Sequence, residues 1–300
     1  MYFTGFADEA SQDIDLQIKA TLALGWKNIE TRALYGKNLA FLSDKEFEDA
    51  EEKLEKSGIH FNCYGSGIGN WAKPIAESPE SSYEEFRKAI PRMQKLGISM
   101  VRMMSFNVAD DQKENAWQYE DEAIKRVKVI VKMAEDAGIL CVHENCMNWG
   151  GLSYEHTLKL CEKIKSPNFK LVFDTGNPVF NIDYSGAGAH KKRQSAWEFY
   201  QNVKDFIAYI HIKDGTFVEE TGQSVFLFPD EGDAQVSKIL TDVFNKGYDG
   251  GISIEPHMKT VFHDKKKMTP EFEKECYDNY VEYGRRVEKI VTAIKNKLGK

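Results

Sequence analysis

Two rhythms alternate along this chain. Segments with apolar residues every three or four positions end in glycine, and a short, nearly continuous apolar run follows at once. The junction recurs as LALGWKNIE, KSGIHFNCY, KLGISMVRM, DAGILCVHE and NKGYDGGISIE, with Gly25, Gly58, Gly97, Gly138 and Gly247 at the turning points. Glycine enters the left-handed conformation that closes a helix at no steric cost, so each junction reads as helix stop, tight turn, strand. Three stripes carry helical spacing: Ile14, Ile18 and Leu22; Ile124, Val127, Val131 and Ala134; Val236, Ile239, Leu240 and Val243. The apolar runs lack a polar face, as strands do when a parallel sheet is buried on both sides.

Eight strands are predicted, at 2–7, 26–31, 59–64, 98–104, 139–144, 169–174, 206–212 and 251–256. Helices fall between them, and a long final helix covers 270–298. Eight βα units without a break favour a closed barrel over an open doubly wound sheet. The expected fold is therefore α/β, a single (β/α)8 TIM barrel spanning residues 1–300. That length suits a fold that takes about 250 residues plus insertions. The polar stretch at 107–118 and the Gly-containing stretch at 213–233 are too long for connectors, and both follow strands. They are expected to be βα loops on the catalytic face.

In such a barrel chemistry gathers at the C-terminal strand ends, and four consecutive strands end in a metal ligand. Strand five ends CVHENC with Glu144, strand six LVFDTGN with Asp174, strand seven AYIHIKD with His211, and strand eight ISIEPH with Glu255. A lone acidic residue in this place is usually a helix cap, and a lone His a packed core residue. Four in succession read differently, because neighbouring strands lie about 4.8 Å apart and their end residues can converge on one ion. Three carboxylates and an imidazole favour one divalent metal, Mn²⁺ first, with Mg²⁺, Co²⁺ and Zn²⁺ compatible.

Other signals narrow the field. GSGIG at Gly65–Gly69 is not GxGxxG and opens no helix, so it reads as a loop near the ligand. His143-Glu144 begins like HExxH, but position 147 is Met and the context is a strand end. Lys191-Lys192-Arg193 reads as a solvated helix start, with contact to an anionic substrate group as the competing reading. With 40 Lys and Arg against 47 Asp and Glu, the net charge of −7 argues against nucleic acid as partner. No run reaches the roughly 18–20 apolar residues of a membrane span, and Met1–Gln12 does not resemble a leader. Five cysteines without a CxxC fit a reducing compartment, so a cytoplasmic location is expected; Cys146 lies beside the candidate site.

With these residues in view, the chain resembles the sugar phosphate isomerase/epimerase family of the xylose-isomerase-like barrels. The resemblance rests on GFADEA, the second strand from Gly25 to Arg32, GSGIGNW, HEN at 143–145, FDTGN at 173–177, HIKDG at 211–215, EGD at 231–233 and GYDGGISIEPH at 247–257. It implies a metal on the four strand-end residues, with Glu144 and Glu255 doubling as catalytic acid and base on a small carbohydrate ketone. Proton removal beside the carbonyl through a metal-stabilised enediolate would then give epimerisation or isomerisation. A lyase outcome on a keto-sugar or inosose is the alternative on the same site. An endonuclease IV-like repair enzyme is a distant one, and a metal-binding barrel without turnover a third. Family members are often dimers or tetramers, so a homo-oligomer is compatible.

Two positions depart from the ketose 3-epimerase pattern. Asn177 stands where a His is usual three residues after the metal Asp, and Lys213 is the nearest cation after His211 where an Arg is usual. Both are candidate substrate contacts. So are His143, which strand alternation points outward, His257 at the pocket rim, Glu30 and Arg32 at the end of strand two, and Trp149 as a sugar-stacking ring. Trp71 and Phe106 lie in similar loops.

Overall fold

In a computed structural model, residues 1–186, 192–260 and 269–299 are described. The barrel strands are β1 (Tyr2–Gly5), β2 (Asn28–Thr31), β3 (His60–Gly65), β4 (Met100–Met103), β5 (Leu140–Glu144), β6 (Phe169–Asp174), β7 (Ile207–Ile212) and, after a hairpin, β10 (Gly251–Ile254). They pair in parallel in the order β1-β10-β7-β6-β5-β4-β3-β2, and β1 lies against β2 to close the cylinder. All eight coincide with the predicted runs. All five junction glycines take positive φ, from 67° to 82°, which fixes each helix-to-strand turn.

The helices are α1 (Ile14–Ala23), α2 (Asp44–Ser57), α3 (Glu80–Lys95), α4 (Glu120–Ala137), α5 (Tyr154–Lys163), the short α6 (Asn177–Phe180), α7 (Ala196–Val203), α8 (Val236–Asn245) and α9 (Pro270–Leu298). The stripes predicted on α4 and α8 are buried. That on α1 is rotated by one position: Leu22 is 51% exposed, while Gln17 and Thr21 are buried with Ile14 and Ile18. Two polar residues can take the inner face because Gln17 Nε2 donates to the carbonyls of Ser11 and Ala33, and Thr21 Oγ1 to that of Gln17.

Both long loops carry structure of their own, the first a 3-10 segment at Asp110–Tyr119. Residues 213–233 are an antiparallel hairpin, β8 (Asp214–Val218) and β9 (Gln223–Leu227), standing at the mouth. The buried Asp214 carboxylate ties its base, accepting from the backbone N–H groups of Asp230 and Ala234 at 2.8 and 3.0 Å. A Cβ at Gly232 would lie 2.4 Å from that carboxylate, which explains the glycine of EGD. Arg193 starts no helix; α7 begins at Ala196 under a Ser195 cap. Instead its guanidinium stacks 3.3 Å from the Phe217 ring of the hairpin and donates to Glu219 and the Phe180 carbonyl. Lys191 lies outside the described residues. GSGIG is a loop: Gly69 has φ +64°, and a Cβ there would meet the Met104 carbonyl at 2.4 Å. Among the described residues no helix is long and apolar enough to cross a membrane.

Candidate metal centre

Strand alternation builds the site. Val142, Val172 and Tyr209 fill the barrel interior, and the residues two places on, Glu144, Asp174 and His211, share that inward face one layer higher. Ser253 stands in the same relation to Glu255. All four candidate ligands are buried, and one ligand atom from each lies within 4.8 Å of the others.

Three of the four ligands are held by one atom and offer another, while both oxygens of Glu144 have partners. Asp174 Oδ1 accepts from the backbone N–H groups of Gly176 and Asn177 at 2.8 and 2.7 Å, capping α6. Its backbone is fixed by Asn145, whose side chain bonds both Asp174 N–H and C=O. His211 Nε2 sits 3.0 Å from Glu30 Oε2, and Glu30 also accepts from Tyr209 and Ser253. Glu255 Oε1 accepts from Arg32 at 2.9 Å. Glu144 Oε1 accepts from Asn177 at 2.8 Å, and its Oε2 lies 3.3 Å from Arg102. What remains is Asp174 Oδ2, His211 Nδ1 and Glu255 Oε2: all buried, none hydrogen-bonded. His211 Nδ1 stands 3.7 Å from Glu255 Oε2 and 4.0 Å from Asp174 Oδ2. An ion about 2.0–2.4 Å from each would span those gaps. The donor set therefore suits a divalent ion.

Charge points the same way. Among the described residues six buried carboxylates form one network at the mouth (Asp8, Glu9, Glu30, Glu144, Asp174 and Glu255), against three cationic side chains, Arg32, Arg102 and Lys213. The Lys213 ammonium lies 3.0 Å from Asp174 Oδ2 and 2.8 Å from Glu255 Oε2, an ion pair without directed hydrogen bonds. Burial pushes Asp174 up to about 6 despite Lys213. Burial also works against Glu255, but Lys213, His257, Arg32 and His211 together hold its carboxyl well below the usual range. For His211 burial is outweighed by Glu30, which lifts the imidazole to about 9.

The other sequence-selected residues divide cleanly. Asn177 and Lys213 are in the centre: Asn177 Nδ2 reaches Glu144, and its Oδ1 accepts from Lys213 at 3.2 Å. Gly176 leaves room for this, since a Cβ there would lie 2.7 Å from the Lys213 stem. Glu30 and Arg32 are buried against the ligands, Glu30 holding His211 Nε2 and Arg32 holding Glu255 Oε1. His257 is at the rim with φ +55°, its ring between Glu9 Oε1 (2.8 Å) and Glu255 Oε1 (3.4 Å). His143 is not brought to the site. It points outward, with Nε2 near Ser105 Oγ and Asn148 Oδ1, and burial lowers it to about 4, so it stays neutral. Trp149 offers no face to a sugar: it is fully buried, donates to the Ala116 carbonyl, and packs edge-on against Trp117 and His156. Phe106 is buried under Arg126, and Trp71 is exposed. Burial and Glu144 push the Cys146 thiol up, keeping it protonated. Sequence reasoning missed Asp8, Glu9 and Arg102. Arg102 carried the signal, being two residues after the inward Met100 on β4.

A metal on His211 needs its Nδ1 lone pair, with the remaining proton on Nε2 toward Glu30. Since the free imidazole keeps both protons up to about pH 9, ion binding below that pH must expel one. Mn²⁺ affinity is therefore expected to rise by about tenfold per pH unit from 6.5 to 9, and to level off above. Below about 6 protonation of Asp174 steepens the fall. Calorimetric titration in two buffers of different ionisation enthalpy counts the released proton; a pH-independent affinity would contradict the Glu30–His211 coupling.

Comparison with known proteins follows the same line. The sequence matches the profile described as xylose isomerase-like TIM barrel over residues 18–276. No curated protein matches it. A D-tagatose 3-epimerase-like protein is similar with a TM-score of 0.73 at 17% identity, over 99% of this chain and 100% of that one. The IOLI protein with a binding zinc atom gives 0.70 at 15% identity, over 98% and 99%. The probable 3-DHS dehydratase AsbF from Bacillus anthracis gives 0.64 at 13%, over 96% and 99%. At these identities the likeness speaks for the fold alone, while the profile spans most of the chain, and the chain accordingly belongs to the xylose isomerase-like TIM barrel family.

Proposed function

We propose that this protein is a divalent-metal-dependent isomerase or epimerase of a small sugar or sugar-derived ketone. Glu144, Asp174, His211 and Glu255 hold the ion. The observation that carries the reading is the set of three buried atoms on Asp174, His211 and Glu255 that face one another without a hydrogen bond, the two carboxylate oxygens otherwise meeting only the Lys213 ammonium among the described residues. A bound divalent ion supplies Lewis acidity toward a carbonyl and its neighbouring hydroxyl, with Mn²⁺ the first choice for this donor set.

The protein's own groups do the proton work. Glu144 on β5 and Glu255 after β10 stand at the two ends of the ligand arc, with β6 and β7 between them. A substrate carbon lying across that arc has a carboxylate on either side. Glu255, held ionised by its cationic neighbours, removes the proton beside the carbonyl, and Glu144 returns one from the other side. Return to the same carbon inverts it; return to its neighbour moves the carbonyl. Lys213 stays protonated between Asp174 and Glu255 and donates to a substrate oxygen.

That ammonium also supports a second reading. A buried acid beside the proton-abstracting carboxylate can protonate a departing hydroxyl or glycosyl oxygen, which is lyase chemistry; a relative of this fold is named as a probable dehydratase.

The test is incubation of the Mn²⁺-loaded protein with a panel of ketoses and keto-sugars in deuterated water. The expected product has the substrate's formula with deuterium at the carbon beside the carbonyl. A product lighter by water or by a cleaved sugar makes the protein a lyase. No exchange on any substrate by fully metal-loaded protein removes the enzymatic reading.

A further inference from the structure

The acidic network at the mouth does not end at the four ligands. Glu9, Glu255 and His257 form a second group whose ligand atoms lie within 4.8 Å of one another, and it shares Glu255 with the first. Two ligand sets joined by one carboxylate are the layout of a dinuclear centre, in which ions about 3.5–4 Å apart clamp both ends of a displacement. Here the shared arrangement is filled by an arginine. Arg32 Nη1 lies 2.9 Å from Glu255 Oε1 and Nη2 lies 3.2 Å from Glu9 Oε1. Those two oxygens are the ones that flank the His257 ring. Arg32 Nε donates to Asp8 Oδ2 at 2.9 Å, and the guanidinium lies 4.3 Å from the Phe6 ring centroid. The side chains of Arg32, Asp8, Glu9 and Glu255 are each at most 7% exposed.

We propose that Arg32 is the fixed second cation of this centre: it occupies the position a second metal ion would need, and so keeps the site mononuclear. The inference rests on the reading that the four strand-end residues bind one ion. A guanidinium suits the task because it is permanently charged and planar, bonds two carboxylates at once, and has no coordination position to offer. It also consumes Glu255 Oε1 and leaves only Oε2 for the metal side. Asp8 and Glu9, supplied by the ADE turn after β1, keep the arginine in place. The consequence is chemical selectivity. One ion can chelate a carbonyl and its adjacent hydroxyl, whereas the two-ion clamp that phosphodiester displacement uses is denied to this barrel.

Metal stoichiometry tests this without reference to turnover. Folding is checked by circular dichroism. Manganese is then counted after equilibrium dialysis at saturating Mn²⁺, and electron paramagnetic resonance reads any Mn–Mn coupling. Wild type and Arg32→Lys are expected to hold one ion per chain, folded Arg32→Ala two coupled ions, and the double variant Arg32→Ala/Glu9→Gln one again. If Arg32→Ala does not fold, Arg32→Gln, which keeps a stem against Phe6 without the charge, carries the same expectation of two. Two ions in the wild type, or one in each folded neutral variant, would overturn the proposal while leaving the metal reading intact. No ion in the wild type would instead bring down the metal reading itself.

Discussion

Replacing Glu144 with glutamine is expected to lower turnover by about 10²- to 10⁴-fold, the usual worth of a positioned acid or base, while the barrel stays folded. The substitution is nearly isosteric, and a glutamine oxygen can still accept from Asn177, which now bonds Glu144 Oε1 at 2.8 Å. The other atom decides the outcome. Glu144 Oε2 faces Arg102 at 3.3 Å, so an amide nitrogen there sets donor against donor. Arg102 is buried, and an unmet donor of this kind costs about 1–3 kcal/mol, a loss a chain of this size can carry. The ion loses one of three carboxylates, so Mn²⁺ binding should weaken as well. Initial rates at saturating metal, paired with a Mn²⁺ titration and a thermal melt, separate these effects. Wild-type turnover in the folded variant would take Glu144 out of the chemistry.

What the sequence disclosed, and what it hid, follows from the kind of signal each residue leaves. The barrel was legible because five glycine-closed helices and eight apolar runs repeat one rule, and the four candidate ligands because each ends such a run. Strand parity, which already pointed His143 outward, sorts more of the site when carried along the other strands. Counting in twos inward from Val142, Val172 and Tyr209 puts Glu144, Asp174 and His211 inside and His143 outside, and counting from Met100 puts Arg102 inside. Parity also makes Glu30 and Arg32 inward neighbours of the cluster, but it does not say whether they touch substrate or hold ligands. That depends on contacts across the barrel, from β2 to β7 and β10, which no local pattern records. Asp8 and Glu9 were hidden because they follow a strand that ends at Gly5, where three residues turn inward as a short 3-10 helix. The hairpin was hidden because GTFVEETGQSVFLF alternates on neither strand, its apolar runs standing on each side of a polar turn whose Gly222 has φ +67°.

Glu30 offers the second large effect, and its sign depends on pH. Changing Glu30 to glutamine keeps an acceptor for His211 Nε2 but removes the negative charge that lifts the imidazole to about 9. Two consequences oppose each other. Loss of the carboxylate behind a metal-binding His weakens the ion by about 10- to 100-fold. Loss of the raised pKa relieves the competing proton, which at pH 7 burdens the wild type by a factor of similar size. Near pH 7 the two should nearly cancel; above pH 9 the proton ceases to compete in either protein, and the full weakening should appear. Stability of the metal-free protein gives an independent readout. A folded-state pKa raised above the unfolded value of about 6.5 stabilises fully below 6.5, and the gain is lost as pH climbs through about 9. For His211 that gain is on the order of 3 kcal/mol. The metal-free wild type should therefore lose stability between pH 6.5 and 9, while Glu30→Gln starts lower and changes little over the same range. Urea unfolding at four or five pH values, beside Mn²⁺ titrations at the same values, checks both halves. Parallel profiles for the two proteins would mean that Glu30 does not set the protonation of His211, and that the imidazole reaches its metal-ready state unaided.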